Sequence, residues 1–200
     1  PLSVEYLVFT GLFALIILVA YGRDGLKNFS LSLALLGAIG VMYLIDNLSP
    51  YGYFTPFQIF VPTTAALAML FLTQMGYTIT FVGYYSGTPT YNISDAFGHS
   101  SLQPIGIGWP CSGVESLLIY TFTILLFLRK TDISWKQKII YFIIGAVVTY
   151  FINVLRIVTI FTIAVYHGDI STFHNYYGPL YSIIWIVSYP IMIIGSQILW

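Results

Sequence analysis

The sequence predicts an all-α fold: a polytopic membrane helix bundle of about six transmembrane helices, with one extracellular lid loop containing a short hairpin. Three observations predict it. Hydrophobic residues make up 58% of the 200-residue chain and charged residues 7%, where a soluble domain carries about 25% charged residues. Mean hydropathy is +0.87. The apolar residues gather in six runs near the roughly 20 helical residues needed to cross a bilayer core about 30 Å thick, and the alternating ten-residue strands of a membrane barrel are absent.

The runs are 4–21, 31–48, 57–75, 113–128, 139–165 and 180–200. The fifth is the longest; at about 1.5 Å per residue it extends about 40 Å, so it tilts or projects beyond the lipid. Aromatic residues crowd the ends of the runs (Tyr51, Tyr53, Trp109, Trp135, Tyr176, Tyr177, Trp200), as interfacial belts do. Arg129, Lys130, Lys136 and Lys138 share one loop and are four of the seven basic residues. That loop is expected in the cytoplasm, which puts 84–110 and 167–178, both free of Lys and Arg, on the outside. Six spans then place Arg23 and Lys27 outside, against the same rule; a re-entrant third run inverts only the N-terminal half. The sequons at Asn28, Asn47 and Asn92 fall in successive loops and decide nothing.

The segment 84–110 is long for a connection. Tyr/Thr/Ile stretches at 77–85 and 90–93 flank Ser86-Gly87-Thr88-Pro89 and predict a hairpin, a lid that shields its surroundings from water. Residues 1–200 read as one integral-membrane domain without internal repeats. No signal peptide with a charged first region and a small-residue cleavage site is visible. Net charge is zero, which excludes a nucleic-acid binder with a basic face. A lone Cys excludes an internal disulfide and is not a zinc site alone; no metal or cofactor is called for.

Three polar residues then stand out. Cys111 sits in Pro110-Cys111-Ser112-Gly113. Pro suits the first turn of a helix, so the sulfur is expected at the N-terminus of the fourth span, where the macrodipole and free N–H groups favour thiolate and can hold an oxyanion. Arg156 is the one basic residue inside a run. A charge at that depth costs about 2.5–3.5 kcal/mol on insertion scales, which makes function the default reading; about 25 Å along the fifth helix from its inner end, it lies in the outer half. His174 precedes the last run and has the ordinary acid/base range for neutral pH. His167 is its rival and His99 a third candidate. Glu115 follows Cys111 by one helical turn and is expected to pair with Arg156, while Asn153 lies one turn before Arg156. Both are supporting residues. Asp46, Asp95 and Asp169 form no buried aspartyl pair.

With Pro-Cys-Ser-Gly opening a span, Asn-x-x-Arg-Ile inside the next (Asn153, Arg156, Ile157) and a His before the last (His174), the chain resembles the exosortase/archaeosortase family over roughly 76–200. The resemblance implies Cys111 as nucleophile, Arg156 as stabilising cation and His174 as acid/base, with Ser112, Gly113, Glu115 and Asn153 supporting. It implies a multi-pass cell-membrane cysteine transpeptidase, its active site facing outward. Such an enzyme cuts a C-terminal tripartite signal (motif, apolar span, basic cluster) of an exported protein and passes the acyl group to an acceptor, a lipid amine in archaeal relatives. Glu115 departs from the neutral or basic residue of many relatives and bears on motif preference. Two readings from other classes compete: a small transporter or channel with an Arg156–Glu115 polar path, which predicts flux and indifference to thiol alkylation, and a scaffold in which Cys111 is incidental.

Overall fold

A computed structural model describes residues 2–48, 56–85 and 87–199; Tyr51, Tyr53, Ser86 and Trp200 lie outside them. The protein is an all-α membrane helix bundle with one small sheet. The chain divides into two units, 1–56 and 57–200.

The first unit is a helical hairpin. Helix α1, Leu2–Asn28, breaks at Gly22, whose φ of 65° is outside the helical range; helix α2 is Ser30–Leu48. Packing is antiparallel: Tyr6 stacks on Tyr43 and the Asn47 amide donates to Ser3 Oγ at 2.8 Å. The polar pair is satisfied internally, as an apolar setting demands.

In the second unit a short 3-10 helix, Pro56–Phe60, leads into α3, Val61–Gln74. Gly76 ends α3 with φ +91, its N–H bonding Thr73 O while Tyr77 N–H reaches back to Leu72 O. This is a Schellman arrangement, which a left-handed glycine makes inexpensive. It turns the chain into strand β1, Thr78–Tyr85, which pairs antiparallel with β2, Thr88–Ser94; β3, Ile105–Gly106, completes a sheet of order β1-β2-β3. The register shifts between Phe81 and Gly83, a bulge that bends the ribbon. The expected hairpin is therefore present, and Tyr91 of β2 packs edge-on against Phe161 of the fifth helix.

Helices α4, Val114–Lys130, and α5, Trp135–Val165, follow. Ser134 and Gln137 form a reciprocal capping box at the start of α5, satisfying donors that would otherwise be orphaned. At 31 residues α5 is about 46 Å long and packs against α3, α4 and the last helix. Asp169 caps the next helical stretch by accepting from Thr172 N–H at 3.0 Å. That stretch runs through a single turn, α6 (Ile170–Thr172), a π-helical turn, Phe173–Tyr177, and α7, Gly178–Leu199. His174 thus belongs to the helical entry of the last span rather than to a loop before it, because the Asp169 cap starts the helix early.

Among the described residues, four stretches are long and apolar enough to cross a membrane: Ser3–Asn28, Phe57–Gln74, Trp135–Val165 and Ile170–Ile198. Ser30–Ile45 is a shorter apolar helix, and α4 is 17 residues ending on Arg129 and Lys130. The core between α4 and α7 holds Tyr120, Ile124, Leu128, Ile186, Tyr189 and Ile193. Its two tyrosines donate to α5 carbonyls, Tyr120 to Phe142 O at 2.9 Å and Tyr189 to Tyr141 O at 2.7 Å.

Candidate active site

Cys111 occupies a separate 3-10 turn, Trp109–Ser112, rather than the first turn of α4. Gly113 divides the two with φ +91 and caps α4. The continuous entry expected from Pro110 is interrupted, since a left-handed residue ends one hydrogen-bond ladder before the next begins. A Cβ would also sit tightly, 3.1 Å from Asn153 Nδ2 and 3.2 Å from its Cγ. The turn is fixed from several sides. Cys111 N–H bonds Gly108 O at 3.0 Å, buried Ser112 donates Oγ–H to Trp109 O at 2.6 Å, and Asn153 Nδ2 donates to Cys111 O at 2.8 Å.

One turn along α5 from fully buried Asn153 is Arg156, whose Nη2 donates to His174 O at 3.0 Å. Gly178 lies against the guanidinium. Consecutive turns of one helix face therefore hold the two turns that carry Cys111 and His174. Two buried polar atoms on this face, Asn153 Oδ1 and Arg156 Nε, have no hydrogen-bond partner among the described residues. A cavity of about 250 Å³ lined by Ile152, Leu155, Arg156, Thr159 and Tyr181 opens beside the arginine.

The field at the sulfur differs from the expectation. Burial pushes the Cys111 thiol above its ordinary value; Arg156 pulls it down and Glu115 pushes it up. Glu115 acts on Cys111 from the first turn of α4. Arg156 Nη2 is directed to the His174 carbonyl.

The other histidines sit elsewhere. His167 ends α5 at φ 55 and lines a cavity of about 460 Å³ with 101–106 of the lid, Ala164, Gly168 and Ile170. It is 11 residues beyond Arg156 in the chain, just past the end of α5. His99 Nδ1 lies 2.8 Å from Asp95 Oδ2 and its ring packs on Tyr166. Burial alone would raise the Asp95 carboxyl, but the His99 ring and the N–H groups of His99 and Phe97 outweigh it and hold it below its ordinary value.

Sequence reasoning missed Thr64, Tyr150 and Gly178. Thr64 Oγ1, fully buried, lies 2.9 Å from Ser112 O and 2.9 Å from Tyr150 OH; with one proton to give, it donates to Ser112 and accepts from Tyr150. No spacing rule links a threonine in α3 to a turn 48 residues on. Gly178 gave no sign in the sequence of its closeness to the guanidinium.

The family model described as transmembrane exosortase (Exosortase_EpsH) matches residues 1–191. Comparison with curated proteins and with solved structures gives no match.

Proposed function

The chain belongs to the transmembrane exosortase family, a multi-pass membrane family with a sortase-like role in processing exported proteins that carry C-terminal signals, and from that premise we propose that it is a cysteine transpeptidase with Cys111 as nucleophile, Arg156 as stabilising cation and His174 as acid/base. One observation carries the reading: Asn153 and Arg156, one turn apart on α5, hold the turns bearing Cys111 and His174.

The substrate's C-terminal span docks laterally among the helices and presents its scissile carbonyl at the outer interface. Because burial raises the Cys111 thiol above its ordinary value, a base assists the attack. The His174 imidazole takes the thiol proton as Sγ bonds to the carbonyl carbon. The oxyanion that forms is stabilised by the Arg156 cation, in a setting of low dielectric where such charge pairing is strong. Collapse breaks the C–N bond, the imidazolium protonates the leaving amine, and a thioester remains. An acceptor amine, of a lipid in our reading, attacks that carbon and gives its proton to His174. The C–S bond breaks and the sulfur regains a proton. Deeper along α5, Thr149 donates to Gly145 O and accepts from Trp185, and Tyr150 is engaged by Thr64, so these polar groups are occupied by protein partners.

The deciding experiment co-expresses an exported protein bearing a motif, an apolar span and a basic cluster. Cys111→Ala is expected to abolish processing while the protein still accumulates in membranes, and the wild-type chain is expected to form a covalent Cys111 adduct with a peptide carrying the motif. Normal processing by Cys111→Ala ends the proposal.

A further inference from the structure

We infer that Gly178 is a positioning residue, a slot on α7 that sets the Arg156 guanidinium in place. The inference rests on the reading of Arg156 as the cation beside Cys111.

Gly178 has φ −58 and ψ −52, ordinary right-handed helix that any residue adopts. Nothing about its backbone asks for glycine, and in a helix glycine is less favourable than alanine. The reason lies across the interface. A Cβ on Gly178 would collide with Arg156 Nε and lie 3.1 Å from both its Cδ and Cζ. The guanidinium thus rests on the bare backbone of α7, four residues beyond the His174 carbonyl that accepts from its Nη2. Slot and hydrogen bond together fix the plane of the group: one excludes a neighbouring side chain, the other gives the fork its direction. Gly195, on the same helix, is a built-in contrast, with nothing within 4 Å of its added Cβ.

Gly178→Ala therefore removes a helix-disfavouring residue yet displaces the arginine, while Gly195→Ala makes only the helix change. The test uses the whole chain in detergent micelles, with iodoacetamide as the probe of its single thiol. The readout is the pH midpoint of Cys111 alkylation, which responds to the charges that face the sulfur, Arg156 from α5 and Glu115 from α4. Gly178→Ala is expected to move that midpoint, and Gly195→Ala to leave it in place. In an Arg156→Ala background Gly178→Ala should move nothing, because the group it displaces is gone. Processing of the co-expressed substrate should fall about a hundredfold in Gly178→Ala, the scale of a catalytic group misplaced by about an ångström.

A midpoint in Gly178→Ala equal to that of Gly195→Ala overturns the inference, as does an equal shift with and without Arg156. If Gly178→Ala fails to accumulate, adding Arg156→Ala should restore the protein by relieving the collision; failure to restore it also overturns the inference. Labelling and processing separate the two claims. A slot without catalysis moves the midpoint in a chain that never processes substrate, and catalysis without a slot leaves the midpoint still in a chain that does.

Discussion

The two turns flanking α5 are built differently. The Cys111 turn is fixed by its own backbone bond to Gly108, by Ser112 on Trp109, by Thr64 on Ser112 and by Asn153 on Cys111. The His174 turn is π-helical, and among the described residues its polar contact with α5 is the one from Arg156. A π turn has a looser hydrogen-bond ladder and recurs at functional positions. On the proposed roles the contrast is a division of labour: the nucleophile's turn is held by several polar contacts, whereas the turn of the proton carrier shares its contact with the side chain proposed to supply the positive charge. Damage to the first should be graded, and damage to the second abrupt.

The largest effects should follow from the second turn. His174→Ala should lower processing by about 10²–10⁴, the span of general acid–base catalysis, while His167→Ala, in its cavity under the lid, stays within about threefold of wild type. Equal losses would move the base to His167. Arg156→Lys should cost about 10²–10³, comparable to removing one oxyanion donor, because a point charge cannot both donate to His174 O and keep the planar fork on Gly178. Near-native turnover by this variant would show that the tether is dispensable and would dissolve the contrast.

The first turn should answer more gently. Asn153→Ala leaves the Cys111 carbonyl without its side-chain donor, at about 1–3 kcal/mol for a buried unsatisfied group, but the Gly108, Trp109 and Thr64 bonds remain. Processing about tenfold down with membrane accumulation intact is the expected result. Complete loss would mean that Asn153, through Oδ1, also touches substrate.

Charge at the sulfur gives a finer measure. Burial first, then Glu115, raises the Cys111 thiol, and Arg156 lowers it. The thiolate exists above the midpoint, and the midpoint stands above the ordinary thiol value. Glu115→Gln removes a raising charge, so alkylation should begin at lower pH and be faster at any fixed pH below the midpoint. A slower reaction in the variant would contradict the proximity of Glu115 to Cys111.

Much of this was legible beforehand. Run lengths located the helices because bilayer thickness sets them, and the lid hairpin was readable from its turn chemistry around Gly87 and Pro89. The order Cys, Asn-x-x-Arg, His pointed to the family. The entry to α4 was not legible: Pro before Cys reads as a helix start, and only the backbone shows Gly113 at φ +91 dividing turn from helix. Nor was the contact of Arg156 Nη2 with the His174 carbonyl, which depends on which helix faces which. Thr64 lay beyond reach for the same reason, since its role exists only when α3 is packed against the Cys111 turn.

Thr64 offers the mildest test of the redundancy argued for that turn. Thr64→Val keeps the shape and removes the hydroxyl that joins Ser112 O to Tyr150 OH. Two partners lose a bond at a fully buried position, so stability should fall by about 1–3 kcal/mol, read as a lower melting temperature in detergent. Catalysis should change by no more than about threefold, because Asn153 still holds the Cys111 carbonyl and Ser112 still holds Trp109. If processing instead collapses while the melting temperature holds, Thr64 sets the sulfur directly, and the nucleophile's turn is as singly supported as the turn that carries His174.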